Sequence, residues 1–472
     1  MRSSLSNRIS GISGAGVLVL GLAGCTTFSA DGGFGSVESS ARSQLGKDVV
    51  WSRTDADSAT VAARVAELLA KPLSVDDAVQ IALINNKGLQ AGYYELGLSE
   101  SDLVYAGRLP NPGFVFARKT QGDEVEIERL FTLNLMRLLT IPLAVEIESR
   151  RFEQTQQRVT LEVLTLASVT RKAYFEAVAA EESVRYTRRA MESAEAGAEL
   201  ARRMAQAGNW GKLQQAREQS FYADSALSLA RAEQARIASR ERLIRQMGLW
   251  GGQTAFELPE RLPDLPKQAD ELPNIEQQAM AQRLDVQSAR RGTEAVAANL
   301  GLTKATRFIN VLEFGVIHNS FNNAPVQRGY EIAIEVPLFD WGNARVAQAE
   351  AIYGQAVNRL AETAVNARSE VRQAYLNYRA SYDIARHYRD EIVPIRKRIS
   401  EENVLRYNGM LIGVFELLAD ARSQIASVNG YIEALRDFWL SKADLEMSLI
   451  GRPDARNAPT AARGMAPAEA GH

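Results

Sequence analysis

From Leu143 to Gln206 the chain runs about 64 residues of helix-forming sequence without a proline, a helix of about 96 Å at 1.5 Å per residue. The typical helix of a compact domain has only about 11 residues. A second long run follows Leu338, and in it Val371, Tyr375, Tyr378, Tyr382, Ala385, Tyr388, Ile392, Ile395 and Ile399 step by fours and threes. That is close to a heptad seam, so the helix is predicted to pack lengthwise on others. Pro394 inside it should bend or loosen the hydrogen-bond ladder.

What precedes each long run obeys a different period. In YEIAIEVPL, Tyr330, Ile332, Ile334 and Val336 alternate with Glu331, Ala333 and Glu335. A period of two with one apolar face predicts a strand. Four such strands are expected, near 113–120, 129–141, 307–318 and 329–338, as two hairpins of roughly ten residues per strand. About 9–11 tilted residues are what a membrane β-strand needs. Four strands fall short of the eight or more that close a barrel, and an open edge in lipid leaves backbone groups unpaired. Strands that span a membrane would therefore have to be shared among copies, and three copies would give about twelve. On that reading Glu313, Glu331 and Glu335 line water, while the Ile and Phe faces meet lipid. A small soluble sheet packed on the helices is the other reading of the pattern.

The order repeats. A helix is predicted from Leu73-Ser74, where Ser74 fits an N-cap, to about Gly107, and Pro110 and Pro112 end it. Another runs from Ile275 to about Lys304. The two Pro-Leu junctions, Pro142-Leu143 and Pro337-Leu338, are 195 residues apart. The breaks at Gly208-Asn209 and Asn408-Gly409 are about 200 apart, too long a period for a solenoid and suggestive of internal duplication. The expected organisation is a first repeat over 73–250, a Pro-rich linker crossing the surface over 251–273, a second repeat over 274–450 and a disordered tail over 451–472. The fold class expected is mainly α with a small β part.

Composition narrows the function. The 472 residues carry a net charge of −2, which gives no reason to expect nucleic acid as a partner. Three scattered histidines and one cysteine supply no metal cluster and no His or Cys nucleophile, so neither enzyme nor cofactor is expected. The N-terminus is more telling. Arg2 and Arg8 precede an apolar run from Ile12 to Leu22, too short to span a bilayer, and then Leu22-Ala23-Gly24-Cys25. This resembles a bacterial lipoprotein signal: residues 1–24 would be removed and Cys25 acylated, leaving 25–72 as an extended, anchored lead-in.

Together these features make the chain resemble the TolC-like outer-membrane efflux channels over roughly residues 72–450. The resemblance rests on LSVDDAVQIALINNKGLQA, RLPNPGF, IEVPLFDWGNARVAQAEA and the paired turns AGNWGKLQQAREQ and RYNGMLIGVFELLADAR. It implies a homotrimer in the outer membrane of a Gram-negative bacterium, with a twelve-stranded barrel continuous with a periplasmic α-barrel of long helical hairpins. It also implies a periplasmic adaptor and an inner-membrane pump, RND-type above others, with drugs or heavy-metal ions as candidate cargo. The turns at Gly208, Asn209, Trp210 and Gly211 and at Asn408, Gly409, Gly413, Val414 and Phe415 correspond to the periplasmic tips where adaptors dock. Glycine suits such reversals because they often need positive φ. Glu416 matches the first of two acids the family often places three apart beyond the second tip. Ala419 stands at the second position, so Asp420 is the next acid and shares a helix face with Glu416. A ring of such carboxylates would favour cations. A periplasmic coiled-coil adaptor or structural lipoprotein, and the outer-membrane channel of a type I secretion system, are the alternatives.

Overall fold

The computed structural model describes residues 27–309 and 311–452, so the predicted signal, the Cys25 anchor and nearly all of the tail lie outside the described residues. These form two compact units. One comprises residues up to Val37 with Gly92–Val159 and Val286–Ala364; the other comprises Glu38–Ala91, Thr160–Asp285 and the chain from Val365 on.

The first unit holds a four-stranded antiparallel sheet in the order β1-β2-β3-β4, from Gly113–Gln121 (β1), Glu124–Asn134 (β2), Leu312–Phe321 (β3) and Gln327–Ile334 (β4). The second strand is shifted from its expected 129–141, and Pro142 lies inside the long helix Leu135–Gln206. The reason is a cap. The Asn134 side chain accepts the Arg137 N–H at 2.8 Å, which starts the helix before the proline is reached. The third and fourth strands likewise replace the expected 307–318 and 329–338, the fourth ending three residues before Pro337.

The second unit carries the main core. Tyr174, Phe175, Leu243, Met247, Val371, Tyr378, Tyr382, Leu435 and Phe438 are buried together. The seam read from the sequence is buried at Val371, Tyr378, Tyr382 and Ala385, whereas Ile395 and Ile399 are exposed. Between these stretches the helix Asn343–His387 passes through a π-helical turn, Tyr388–Ile392, before Val393–Asn408. Pro394 has no N–H to give and its ring crowds the preceding turn, so a widened turn there is the expected accommodation.

Three further expectations change. The lead-in is not extended, since it contains the helices Phe34–Leu45 and Asp55–Leu69, the latter opened by a Thr54–Asp57 capping box. The helix expected from 73 to 107 breaks at Asn86, between Val75–Asn85 and Lys87–Ala106, and the one expected from 275 to 304 breaks at Arg283, between Ile275–Gln282 and Leu284–Thr306. The two breaks share one conformation, with φ/ψ of −63/118 at Asn86 and −62/119 at Arg283. Finally, the Pro-rich stretch buries Phe256, Leu262 and Leu265 in the core instead of merely crossing the surface. Trp439 Nε1 donates to the Pro263 carbonyl at 3.0 Å and the Tyr382 hydroxyl to that of Lys267 at 2.7 Å, so core side chains satisfy a backbone that lacks secondary structure.

Candidate functional site: sheet faces and helix turns

Side chains alternate across a strand, so the register sorts the sheet into two faces. Three cross-strand rows of one face read Leu312–Ile334, then Leu133–Phe314–Ile332, then Phe114–Phe131–Val316–Tyr330. The Phe114 and Phe131 rings lie 4.6 Å apart between centroids, and Phe114, Phe116, Phe131, Val316, Tyr330, Ile332 and Ile334 are all exposed. Acidic residues are confined to the other face: Glu124, Glu126, Glu128, Glu313 and Glu331, with Lys119 bonded to Glu128 among them. The structure thus puts Glu313 and Glu331 on one surface, as the alternation requires. Glu335 lies one residue beyond β4, its N–H donating to the Val311 carbonyl at 3.4 Å. Chain-wise, β1 and β4 each pair on one side only among the described residues.

The two helix turns are built differently. At the first, Gly208 takes φ +78 and the N–H groups of Asn209 and Trp210 both donate to the Met204 carbonyl, at 2.9 and 3.3 Å. Gly211 then opens the helix Lys212–Met247. At the second, Gly409 stays at φ −79 and the left-handed residue is Met410, at φ 58. The expectation that a glycine takes the positive φ therefore holds at one turn only. Met410 is 93% exposed, so its side chain meets no packing constraint in that conformation. Gly413 opens the helix Val414–Ile450, with Val414 half-buried in its first turn. Phe415 is helical, but its side chain lies outside the described set.

Glu416 is exposed, while Asp420 is half-buried and accepts a hydrogen bond from Asn403 Nδ2 across the turn. The two acids therefore differ, one open to water and one tied to the preceding helix. The helices that follow the two turns are joined by a pair that the sequence did not flag. Glu218, 1% exposed, binds Arg422 Nη2, whose guanidinium lies 4.2 Å from the Phe221 ring centroid. Among the described residues, Glu218 Oε1 and Arg422 Nε have no hydrogen-bond partner. Nothing in the sequence marks Glu218 off from the other glutamates of a polar helix; only the neighbouring helix buries it.

Two further groups show what holds this unit. Arg283 is 1% exposed and binds Asp285 and Glu370 at 2.6 and 2.7 Å. Burial works against its charge, but the two carboxylates outweigh it and keep its pKa above the ordinary value. The Tyr174 hydroxyl donates to the Leu73 carbonyl at 2.9 Å, and burial pushes its pKa up to about 12. Among the described residues, no helix is long and apolar enough to cross a membrane and no three His, Cys, Asp or Glu could hold a metal ion.

No family model and no curated protein matches the chain by sequence. Solved structures do match by fold. A membrane protein from Pseudomonas aeruginosa aligns with TM-score 0.69 at 17% identity, covering 79% of this chain and 92% of that one. The outer membrane protein VceC of Vibrio cholerae aligns with TM-score 0.67 at 15% identity, covering 80% and 97%. The Campylobacter jejuni CmeC outer membrane channel aligns with TM-score 0.65 at 17% identity, covering 79% and 85%. A two-faced sheet feeding long helices, two helix turns and these alignments lead to one conclusion: the chain has the fold of the TolC-like outer-membrane channels.

Proposed function

We propose that the protein is the outer-membrane channel of a tripartite efflux system, passively conducting cargo handed on by an inner-membrane pump and a periplasmic adaptor. One observation carries this reading: the sheet has an apolar, aromatic face without a single acid, an opposite face holding every acid of its strands, and two edges that are unpaired among the described residues. A sheet exposed to water on both sides has no use for the first face, and a sheet in lipid cannot keep the open edges. Three copies joined edge to edge remove both difficulties as a barrel of about twelve strands. Glu313 and Glu331 would then line the lumen, biasing it toward cations. The matching helix breaks at Asn86 and Arg283 favour an origin by internal duplication.

In this assembly the turns at 208–211 and 409–413 form the periplasmic end where the adaptor docks, and Glu416 is the gate acid facing the pore. Exposed Ile395 and Ile399 would be covered by a neighbouring copy. Cys25 would carry the acyl anchor, and the pump would be RND-type, moving drugs or heavy-metal ions. The test is membrane fractionation followed by gel electrophoresis with and without boiling. Outer-membrane trimers that dissociate only on heating are the expected result, and a water-soluble monomer would sink the proposal. Cys25→Ser should abolish labelling by radioactive palmitate.

A further inference from the structure

The outward face of the sheet does not stay apolar along its whole length. Above the three apolar rows come the pairs Phe116–Arg129 and His318–Arg328, and above those the row Arg118–Ile127–Ser320. These rows lie toward the hairpin ends, away from the long helices. Arg129 Nη1 donates to Ser320 Oγ at 2.9 Å and lies 3.4 Å from His318 Nδ1, so strand neighbours hold its guanidinium in place. No salt bridge forms at Arg118, Arg129 or Arg328 among the described residues, although five glutamates stand on the opposite face of the same strands.

Three arginines on a lipid-facing surface are costly in the wrong place, about 2–4 kcal/mol each at the bilayer midplane and close to nothing at an interface. Their depth is consistent with the second. From Ile334 to Arg328 the strand rises about 20 Å, or about 15 Å of height at a tilt near 40°. Below Ile334 the exposed Val336, Leu338 and Phe339 extend the apolar surface further. The arginine row therefore falls at the upper edge of the apolar band.

We propose that Arg118, Arg129 and Arg328 form a binding surface for a phosphate-bearing lipid headgroup in the outer leaflet. This rests on the barrel reading above, which makes the aromatic face the outer one. Guanidinium forks suit phosphate oxygens, and the aromatic and aliphatic rows directly below offer a seat for the acyl chains of the same molecule. A protein partner is disfavoured because the flanking surface is the one that meets lipid.

The test uses full-length, detergent-purified trimers of the wild type, of R118Q/R129Q/R328Q, and of K119Q on the opposite face, titrated with lipid A or with inorganic phosphate and read by native mass spectrometry. Each arginine near a charged lipid surface is worth roughly fivefold in affinity, so the triple variant should bind lipid A about a hundredfold more weakly. K119Q should bind as the wild type does, and all three proteins should still form heat-sensitive trimers. Equal binding by the triple variant, or no lipid A on the wild type, overturns the proposal. Inorganic phosphate that occupies the same site as tightly as lipid A overturns the lipid assignment. Absence of trimers in the wild type would instead strike at the channel reading, and the gel reports that separately.

Discussion

Tyr174 and Glu218 show how burial sets the behaviour of a single residue. The Tyr174 pKa is raised to about 12 by burial, so the folded state prefers the neutral phenol. Its contribution is complete below the ordinary value near 10 and is lost as pH rises from about 10 through about 12. A two-unit shift is worth about 3 kcal/mol. Thermal unfolding followed from pH 8 to 12 should therefore fall more steeply for the wild type than for Tyr174→Phe, and parallel curves would count against the assignment. Glu218 and Arg422 form a buried pair that leaves one atom on each side without a partner among the described residues. Removing one charge strands the other, so Glu218→Gln should destabilise by about 2 kcal/mol or more, whereas Glu218→Met with Arg422→Met should recover most of the loss. Melting temperatures of the wild type and these two variants decide it. Glu416 was legible as a candidate only through the family resemblance, which places an acid just beyond the second turn. Glu218 was not, because its burial comes from a helix some 200 positions away.

At the scale of elements, period and punctuation decided most of what could be read. The alternation of Ile332 with Glu331 marks a strand wherever it occurs, and Ser74 caps its helix as its position promises, its side chain accepting the Asp77 N–H at 3.1 Å. Pro142 misled because a proline usually ends or starts a helix, whereas here the Asn134 cap starts the helix first and Pro142, its eighth residue, is carried inside it at the loss of one ladder hydrogen bond. The breaks at Asn86 and Arg283 escaped notice for a different reason: tertiary contacts make them. Asn86 Nδ2 donates to the Gln246 carbonyl at 2.9 Å and Asn85 Nδ2 to that of Met247 at 3.0 Å, so the kink docks on the end of another helix. That end is closed by Gly248 at φ +67, where an added Cβ would lie 3.1 Å from the Asn85 carbonyl oxygen. Gly248→Ala should therefore cost about 2 kcal/mol or more in stability, measured by chemical denaturation. The two faces of β4 give a further test. Ile332→Arg should cut the yield of assembled trimers sharply, by about 2–4 kcal/mol of insertion energy, while Glu331→Arg should assemble and alter ion selectivity. Equal tolerance of the two would contradict the facing assigned here.

The molecule as a whole was legible in outline. Long helices, four strands in two hairpins and paired turns all follow from periodicity, because each recurs over enough residues to outweigh local ambiguity. In the lead-in only the Thr54–Asp57 box offered a local sign of the helix Asp55–Leu69, and the apolar anchoring of the Pro-rich stretch through Phe256, Leu262 and Leu265 had none. Short segments of mixed composition take their structure from what they land on. Exposed Ile395 and Ile399 carry the same lesson outward, since a seam read from sequence does not say what covers it.

The bare flanks of β1 and β4 have a genetic consequence. If no solitary subunit can settle in lipid, then chains meet before they settle, and a defective chain that still pairs drags sound siblings down with it. In the trimer proposed above, a variant that still assembles, such as Glu331→Arg, expressed at parity with the normal allele would leave roughly one in eight assemblies untouched, so its altered selectivity should behave as dominant rather than silent.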